Sequence, residues 1–169
     1  TLFFFFFRLR AMSPQTLKLT PDLVAATAAR TSFLLTRLTD IAREFPGAAF
    51  ANSFGAEDMV LTDLIAKHRL DIEIFSLDTG RLPLETYDLM ARAEAHYGIK
   101  FKVFAPRHHH VEAYVRSHGI NAFYHSVELR KACCWARKVE PLQRSLAGKG
   151  AWITGMRAHQ SATRTSLPP

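Results

Sequence analysis

Cys133 and Cys134 stand side by side in Lys131-Ala132-Cys133-Cys134-Trp135-Ala136-Arg137-Lys138, and the chain has no other cysteine. Consecutive Cα atoms lie about 3.8 Å apart, whereas disulfides favour roughly 4.4–6.8 Å. A bond between these two would close a strained ring. Neighbouring thiolates can instead give two ligands to one soft metal centre. Zinc sites and cubane clusters ordinarily take four protein ligands. The pair is therefore half of a site whose other half lies elsewhere, or a buried dipeptide, since free cysteine packs as a small hydrophobe. Lys138 follows Cys134 by one helical turn and shares its face. It either sets a positive charge beside the thiolates or is a solvated neighbour of Arg137 and Glu140.

Three loops add candidates for holding an anion. Ser53-Phe54-Gly55-Ala56-Glu57-Asp58 joins an apolar run to a helical stripe. A small glycine-containing loop before a helix turns backbone N–H groups toward an anion. No Gly-Lys-Ser/Thr follows, so this is not a Walker A loop. Glu57 and Asp58 suit the helix dipole but would repel phosphate, so both are expected to point aside. Leu77-Asp78-Thr79-Gly80-Arg81 ends a second apolar run; Asp78 can accept from ribose hydroxyls and Arg81 can meet an anion. Gly155-Met156-Arg157-Ala158-His159-Gln160-Ser161-Ala162-Thr163-Arg164 follows a third; its arginines suit bidentate oxyanion contacts. Each loop alone is equally an ordinary turn or solvated surface. His108-His109-His110 is read as a solvated face, because consecutive helical residues point in different directions.

These loops need strand ends and helix starts to place them. Thr20-Pro21-Asp22 opens a helix to about Glu44, with proline at its first position. Strands are expected at 48–52, 72–77, 100–104 and 151–154. Helices are expected at 57–68, 84–97, 111–118 and 127–146, the last one continuous and carrying both cysteines. Alternating strands and helices predict an α/β fold: a mainly parallel sheet with helices on both faces. Ligands then bind at the carboxyl ends of the strands.

A length of 169 residues suits one domain, and a hydrophobic content of 48% supports a real core. Two cysteines do not make a secreted disulfide scaffold and favour the cytoplasm. The net charge of +7 favours anionic partners. No basic run with interleaved aromatics points to nucleic acid. Leu2–Phe7 is far too short for a membrane span. Residues 1–11 are expected to be a non-native or read-through extension, with Met12 a plausible start and 12–169 a single domain.

Ser53–Asp58, Leu77–Arg81, Lys131-Ala132-Cys133-Cys134 with Arg137-Lys138-Val139-Glu140-Pro141-Leu142, and Trp152–Arg157 with Gln160, Ser161, Thr163 and Arg164 together resemble the sulfonucleotide reductases. The match is closest to the iron–sulfur adenylyl-sulfate (APS) reductases of bacterial sulfate assimilation, and covers about residues 20–165. The resemblance implies an adenine-nucleotide alpha-hydrolase-like fold. It implies an oxidoreductase of cysteine biosynthesis that reduces APS to sulfite and AMP with thioredoxin. In that family a cysteine on a C-terminal tail attacks the sulfur and expels AMP, leaving an S-sulfocysteine that thioredoxin resolves.

Carried onto this sequence, Cys133 and Cys134 match the first ligand pair of a [4Fe–4S] cluster, and Lys138, Arg157 and Arg164 match catalytic positions. Ser53, Phe54, Gly55, Ala56, Glu57, Leu77, Asp78, Thr79, Gly80, Arg81, Gly155 and His159 match substrate-binding positions. The family's second Cys-x-x-Cys and its tail cysteine have no counterpart among these residues. The expectation is a truncated reductase, half-equipped for its cluster and inactive as it stands. A nucleotide-binding module without turnover, and a reductase of the 3′-phosphorylated substrate PAPS, are the alternatives. The double cysteine favours APS. An ATP-dependent adenylating enzyme would need a Ser-Gly-Gly-x-Asp-Ser loop, and Phe54 occupies its first glycine position. Homo-oligomerisation stays open.

Overall fold

The computed structural model describes residues 19–156. Contacts divide the chain after Leu34 into Thr1–Leu34 and Leu35–Pro169, and the sheet belongs to the second unit. Helix α1 (Pro21–Glu44) begins as the sequence dictates, with the Thr20 hydroxyl accepting from the Leu23 N–H at 3.2 Å. Strand β1 (Ala49–Ala51), helix α2 (Ala56–Lys67), β2 (Glu73–Leu77), α3 (Leu84–Tyr97) and β3 (Lys102–Phe104) follow in alternation. Then come α4 (His108–His118), a 3₁₀ turn (Ala122–Tyr124), α5 (Val127–Cys134), a π turn (Trp135–Val139), α6 (Glu140–Leu146) and β4 (Trp152–Thr154).

The four strands are parallel, in the order β3-β2-β1-β4. Ala49 pairs with Glu73 on one side and Trp152 on the other, so β1 is central. The connections lead outward from β1 to β3 and then back to β4, and crossovers between parallel strands are right-handed as a rule. That reversal puts α2 and α3 on one face, and the last helices on the other. α6 packs against β2 and β3. The central strands are buried, β1 at Ala49 and Phe50 and β2 at Ile74, Phe75 and Ser76, while Val103 of β3 and Trp152 of β4 are exposed at the edges. Phe50 and Phe75 are fully buried at its centre, with Leu64, Ile65, Ala93 and Ala136 from the helices around them.

The sequence reading of one helix over 127–146 is corrected. The Glu140 N–H reaches the Trp135 carbonyl, a five-residue step. Pro141 supplies the reason: it has no N–H, and its ring conflicts with the carbonyl four residues back, on Arg137, so the ladder widens there. Helix α4 also starts earlier than expected, with the three histidines as its first turn. The His108 and His109 rings meet edge to face, His109 and His110 are tilted against each other, and the His110 ring lies 4.8 Å from that of Trp135. Among the described residues no helix is long and apolar enough to cross a membrane.

Glu94 joins the end of α3 to the start of β3. The Lys100 ammonium at 2.7 Å and the Phe101 N–H at 3.0 Å hold its carboxyl below the usual carboxylate range. A depressed carboxyl stabilises the fold at neutral pH and loses that contribution as pH falls through its folded value. Thermal unfolding followed against pH should show a midpoint that declines below about pH 5, and a shallower decline in Glu94→Gln.

Candidate functional site

The loop after β1 is built by buried hydrogen bonds. Asn52 is buried; its Nδ2 donates to the Thr62 hydroxyl at 2.8 Å, and its Oδ1 accepts from the Phe54 N–H at 2.7 Å. That acceptor holds Phe54 at φ +62, a left-handed conformation that ordinarily favours glycine. The Phe54 ring repays the strain by burying itself edge-on against Phe101, 5.1 Å away. Asp58, buried in the first turn of α2, accepts from both the N–H and the hydroxyl of Ser53 at 2.6 Å. The Thr62 hydroxyl closes the network on the Asp58 carbonyl at 2.8 Å. Gly55 stands at the N-cap of α2 without a side-chain hydrogen bond, and the positive end of a helix dipole favours an anion.

Gly155, just past β4, lies directly against the Asp58 carboxylate; a Cβ there would collide with Oδ1. The β1 and β4 loops thus meet over one side chain. β1 and β4 are also where the strand order reverses, the place where open parallel sheets bind ligands. A cleft of about 400 Å³ opens there, lined by Ser53, Glu57, Asp58, Leu77, Thr79, Leu82, Lys138, Leu142, Trp152, Thr154, Gly155 and Met156 among others. Glu57 and Asp58 both border this cleft, and the Asp58 carboxylate is engaged by Ser53.

The loop after β2 is folded on itself. Asp78 Oδ1 accepts from the Gly80 N–H at 2.8 Å and from the Tyr87 hydroxyl at 2.7 Å. The bond to Asp78 pushes the Tyr87 phenol above its ordinary pKa. Arg81 donates to the Ile120 carbonyl at 2.6 Å and lies over the Phe123 ring at 4.9 Å, outside the cleft. Arg137, absent from the sequence candidates, donates to the Thr79 carbonyl at 2.8 Å. In the sequence it was one residue of the Arg137-Lys138-Val139-Glu140-Pro141 run that carries the family resemblance, with no role assigned to it.

Of the residues singled out by sequence, Ser53, Glu57, Leu77, Thr79, Lys138 and Gly155 line the cleft. Phe54, Gly55, Ala56, Asp78, Gly80 and Arg81 shape its loops without lining it. Arg157, His159 and Arg164 lie outside the described residues.

The thiols occupy a second depression, of about 220 Å³, lined by Thr79, Arg81, Phe123, Arg130, Cys133, Cys134, Arg137 and Lys138. Cys133 is buried beside Tyr114 and Ala122, and Cys134 is exposed. The Ser126 hydroxyl starts this helix by accepting from the Leu129 N–H at 3.1 Å. Four cationic side chains and no carboxylate line the depression, which suits an anionic thiolate-bound cluster. Among the described residues no group of three or more His, Cys, Asp or Glu could hold a metal ion. Thr79 and Lys138 border both depressions.

The family model described as the phosphoadenosine phosphosulfate reductase domain matches residues 47–169. An adenosine 5′-phosphosulfate reductase of Allochromatium vinosum is 52% identical over 131 residues, covering 78% of this chain and 51% of that protein. One from Burkholderia cepacia is 48% identical over 149 residues, covering 88% and 58%. The chain spans little more than half the length of these curated relatives. A crystal structure of phosphoadenylyl-sulfate reductase from Candida auris, a phosphate complex, superposes with a TM-score of 0.61 at 23% identity. That alignment covers 82% of this chain and 69% of the other and shows a shared fold.

The Asp58 network sets an expectation for stability. Asp58→Ala removes the charged acceptor of two Ser53 hydrogen bonds and should lower unfolding free energy by about 1.5–3 kcal/mol. Gly155→Ala forces a methyl against that carboxylate and should cost about 1–3 kcal/mol. Urea unfolding measures both.

Proposed function

The chain belongs to the phosphoadenosine phosphosulfate reductase domain family, and on that footing we propose that the protein reduces adenylyl sulfate to sulfite and AMP in assimilatory sulfate reduction, with thioredoxin as electron donor. The observation that carries this reading is the shared wall: Lys138 and Thr79 border both the strand-end cleft and the thiol depression. A nucleotide cleft and a soft-ligand pair stand back to back, with one ammonium between them.

In this reading Leu82, Leu142 and Trp152 give the purine apolar walls. The N-terminus of α2 and the Thr79 and Thr86 hydroxyls take polar parts of the nucleotide. Lys138 stands toward the phosphosulfate and offsets charge on the AMP phosphate as the sulfur–oxygen bond breaks, a preorganised electrostatic role. Arg157, Arg164 and His159 are assigned to the same anion by their place in the motif after β4. Cys133 and Cys134 would hold a [4Fe–4S] cluster by two of its ligand positions, and the cluster would supply charge beside Lys138. Both thiols then serve as ligands, so the attack on sulfur is assigned to neither. The double cysteine favours APS over the 3′-phosphorylated substrate.

Calorimetric titration of the 169-residue chain with AMP, APS and adenosine tests this reading. AMP and APS should bind more tightly than adenosine. Lys138→Ala should weaken AMP about tenfold while leaving adenosine nearly unchanged. Binding without sulfite release in the presence of reduced thioredoxin is expected from these residues alone. Failure of AMP and APS to bind at all would remove the reading.

A further inference from the structure

The helix that carries the thiols and the loop that follows β2 are joined by a single guanidinium. Arg137 sits in the π turn between Cys134 and Lys138, and its Nη1 donates to the Thr79 carbonyl at 2.8 Å. The contact depends on the residue beside it. Gly80 adopts φ +67, and a Cβ there would lie 3.2 Å from Arg137 Nη1, tighter than a neighbour accepts without shifting. The rest of the loop is braced separately, by Asp78 to Gly80 and Tyr87 and by Arg81 to Ile120. Thr79 is therefore fixed to its own loop through its neighbours and to the thiol helix through Arg137. It is also one of the two residues that border both depressions, and the other, Lys138, follows Arg137 in the chain.

We propose that Arg137 is a positioning residue that couples the two depressions. It locks the Thr79 carbonyl to the helix bearing Cys134 and Lys138, so that a nucleotide in the cleft and a group on the thiols sense each other through this bond. The inference rests on the nucleotide-binding reading above and adds the route by which its two halves communicate. Arginine suits the role because its planar fork holds a carbonyl in a fixed direction, where a lysine would bring one donor on a flexible stem. The π turn contributes as well: the widened ladder places Arg137 and Lys138 over two different walls of one partition. Coupling of this kind is reciprocal, so it can be read from either side.

The experiment uses the purified, reduced 169-residue chain, Arg137→Ala and Arg137→Lys. AMP affinity is measured by calorimetry, and Cys134 alkylation by iodoacetamide is timed with and without saturating AMP. Cys134 is exposed and Cys133 is buried, so the label reports the former. In the wild type, AMP should slow alkylation. In Arg137→Ala, AMP affinity should fall about tenfold, and at saturating AMP the protection should vanish. Arg137→Lys should recover part of both, and guanidinium ion at low concentration should restore protection to the alanine variant. Equal protection in wild type and Arg137→Ala overturns the coupling while leaving nucleotide binding in place. A lowered thermal midpoint with protection intact makes Arg137 a merely structural residue and overturns it too. No AMP binding by the wild type overturns the functional reading, and the coupling with it.

Discussion

One carboxylate organises the mouth of the cleft. Asp58 is buried, yet it accepts two short hydrogen bonds from Ser53 and abuts Gly155. A buried carboxylate is costly unless its oxygens are satisfied. The loops after β1 and β4 are the surfaces that satisfy and cover it. Asn52 and Thr62 extend the same network into the core, which ties loop geometry to sheet packing. The left-handed Phe54 belongs to this constraint, because the Asn52 side chain and the Phe101 ring together hold a conformation that phenylalanine avoids on its own. Ser53 is thereby delivered to the cleft with both of its polar groups already oriented.

The opposite wall follows from a proline. Pro141 forbids a regular ladder behind it, and the π turn that results carries Arg137 and Lys138. Glu140, at the exit of that turn, is gripped by Arg107 and Arg144, so the irregular segment is anchored on its far side. Irregular backbone inside a helix is retained where side-chain placement needs it. Here the placement is an ammonium and a guanidinium between a cleft and a pair of thiols.

Much of this architecture was legible before any coordinates. The alternation of apolar runs and helical stripes gave the parallel sheet, and Thr20-Pro21 marked a helix start that the structure keeps. The loops after β1 and β2 stand out because several glycine-containing stretches follow different strands, although each alone would pass for an ordinary turn. Individual side-chain roles were less visible. Asp78 and Arg81 looked free to meet a ligand, but the sequence does not display Tyr87 or Ile120, the partners that occupy them. Arg137 looked like surface, because its partner is a backbone carbonyl far away in the chain. The π turn was hidden for a related reason: periodicity over 127–146 is helical throughout, and only Pro141 signals a disturbance. Local pattern reports elements well, but hydrogen bonds between distant segments leave little trace in it.

The sheet's pairing order also fixes when the molecule becomes competent. β1 is made early in the chain, yet its second neighbour, β4, is added only after every intervening helix has been produced; Ala49 must wait for Trp152. Closing so long a loop carries an entropic cost that the local β1–β2 pairing does not. During synthesis the nascent chain therefore has half a mouth, with the Asp58 carboxylate lacking its Gly155 lid, until the last strand docks. A ligand held between the two loops would act as a latch on this long-range pairing.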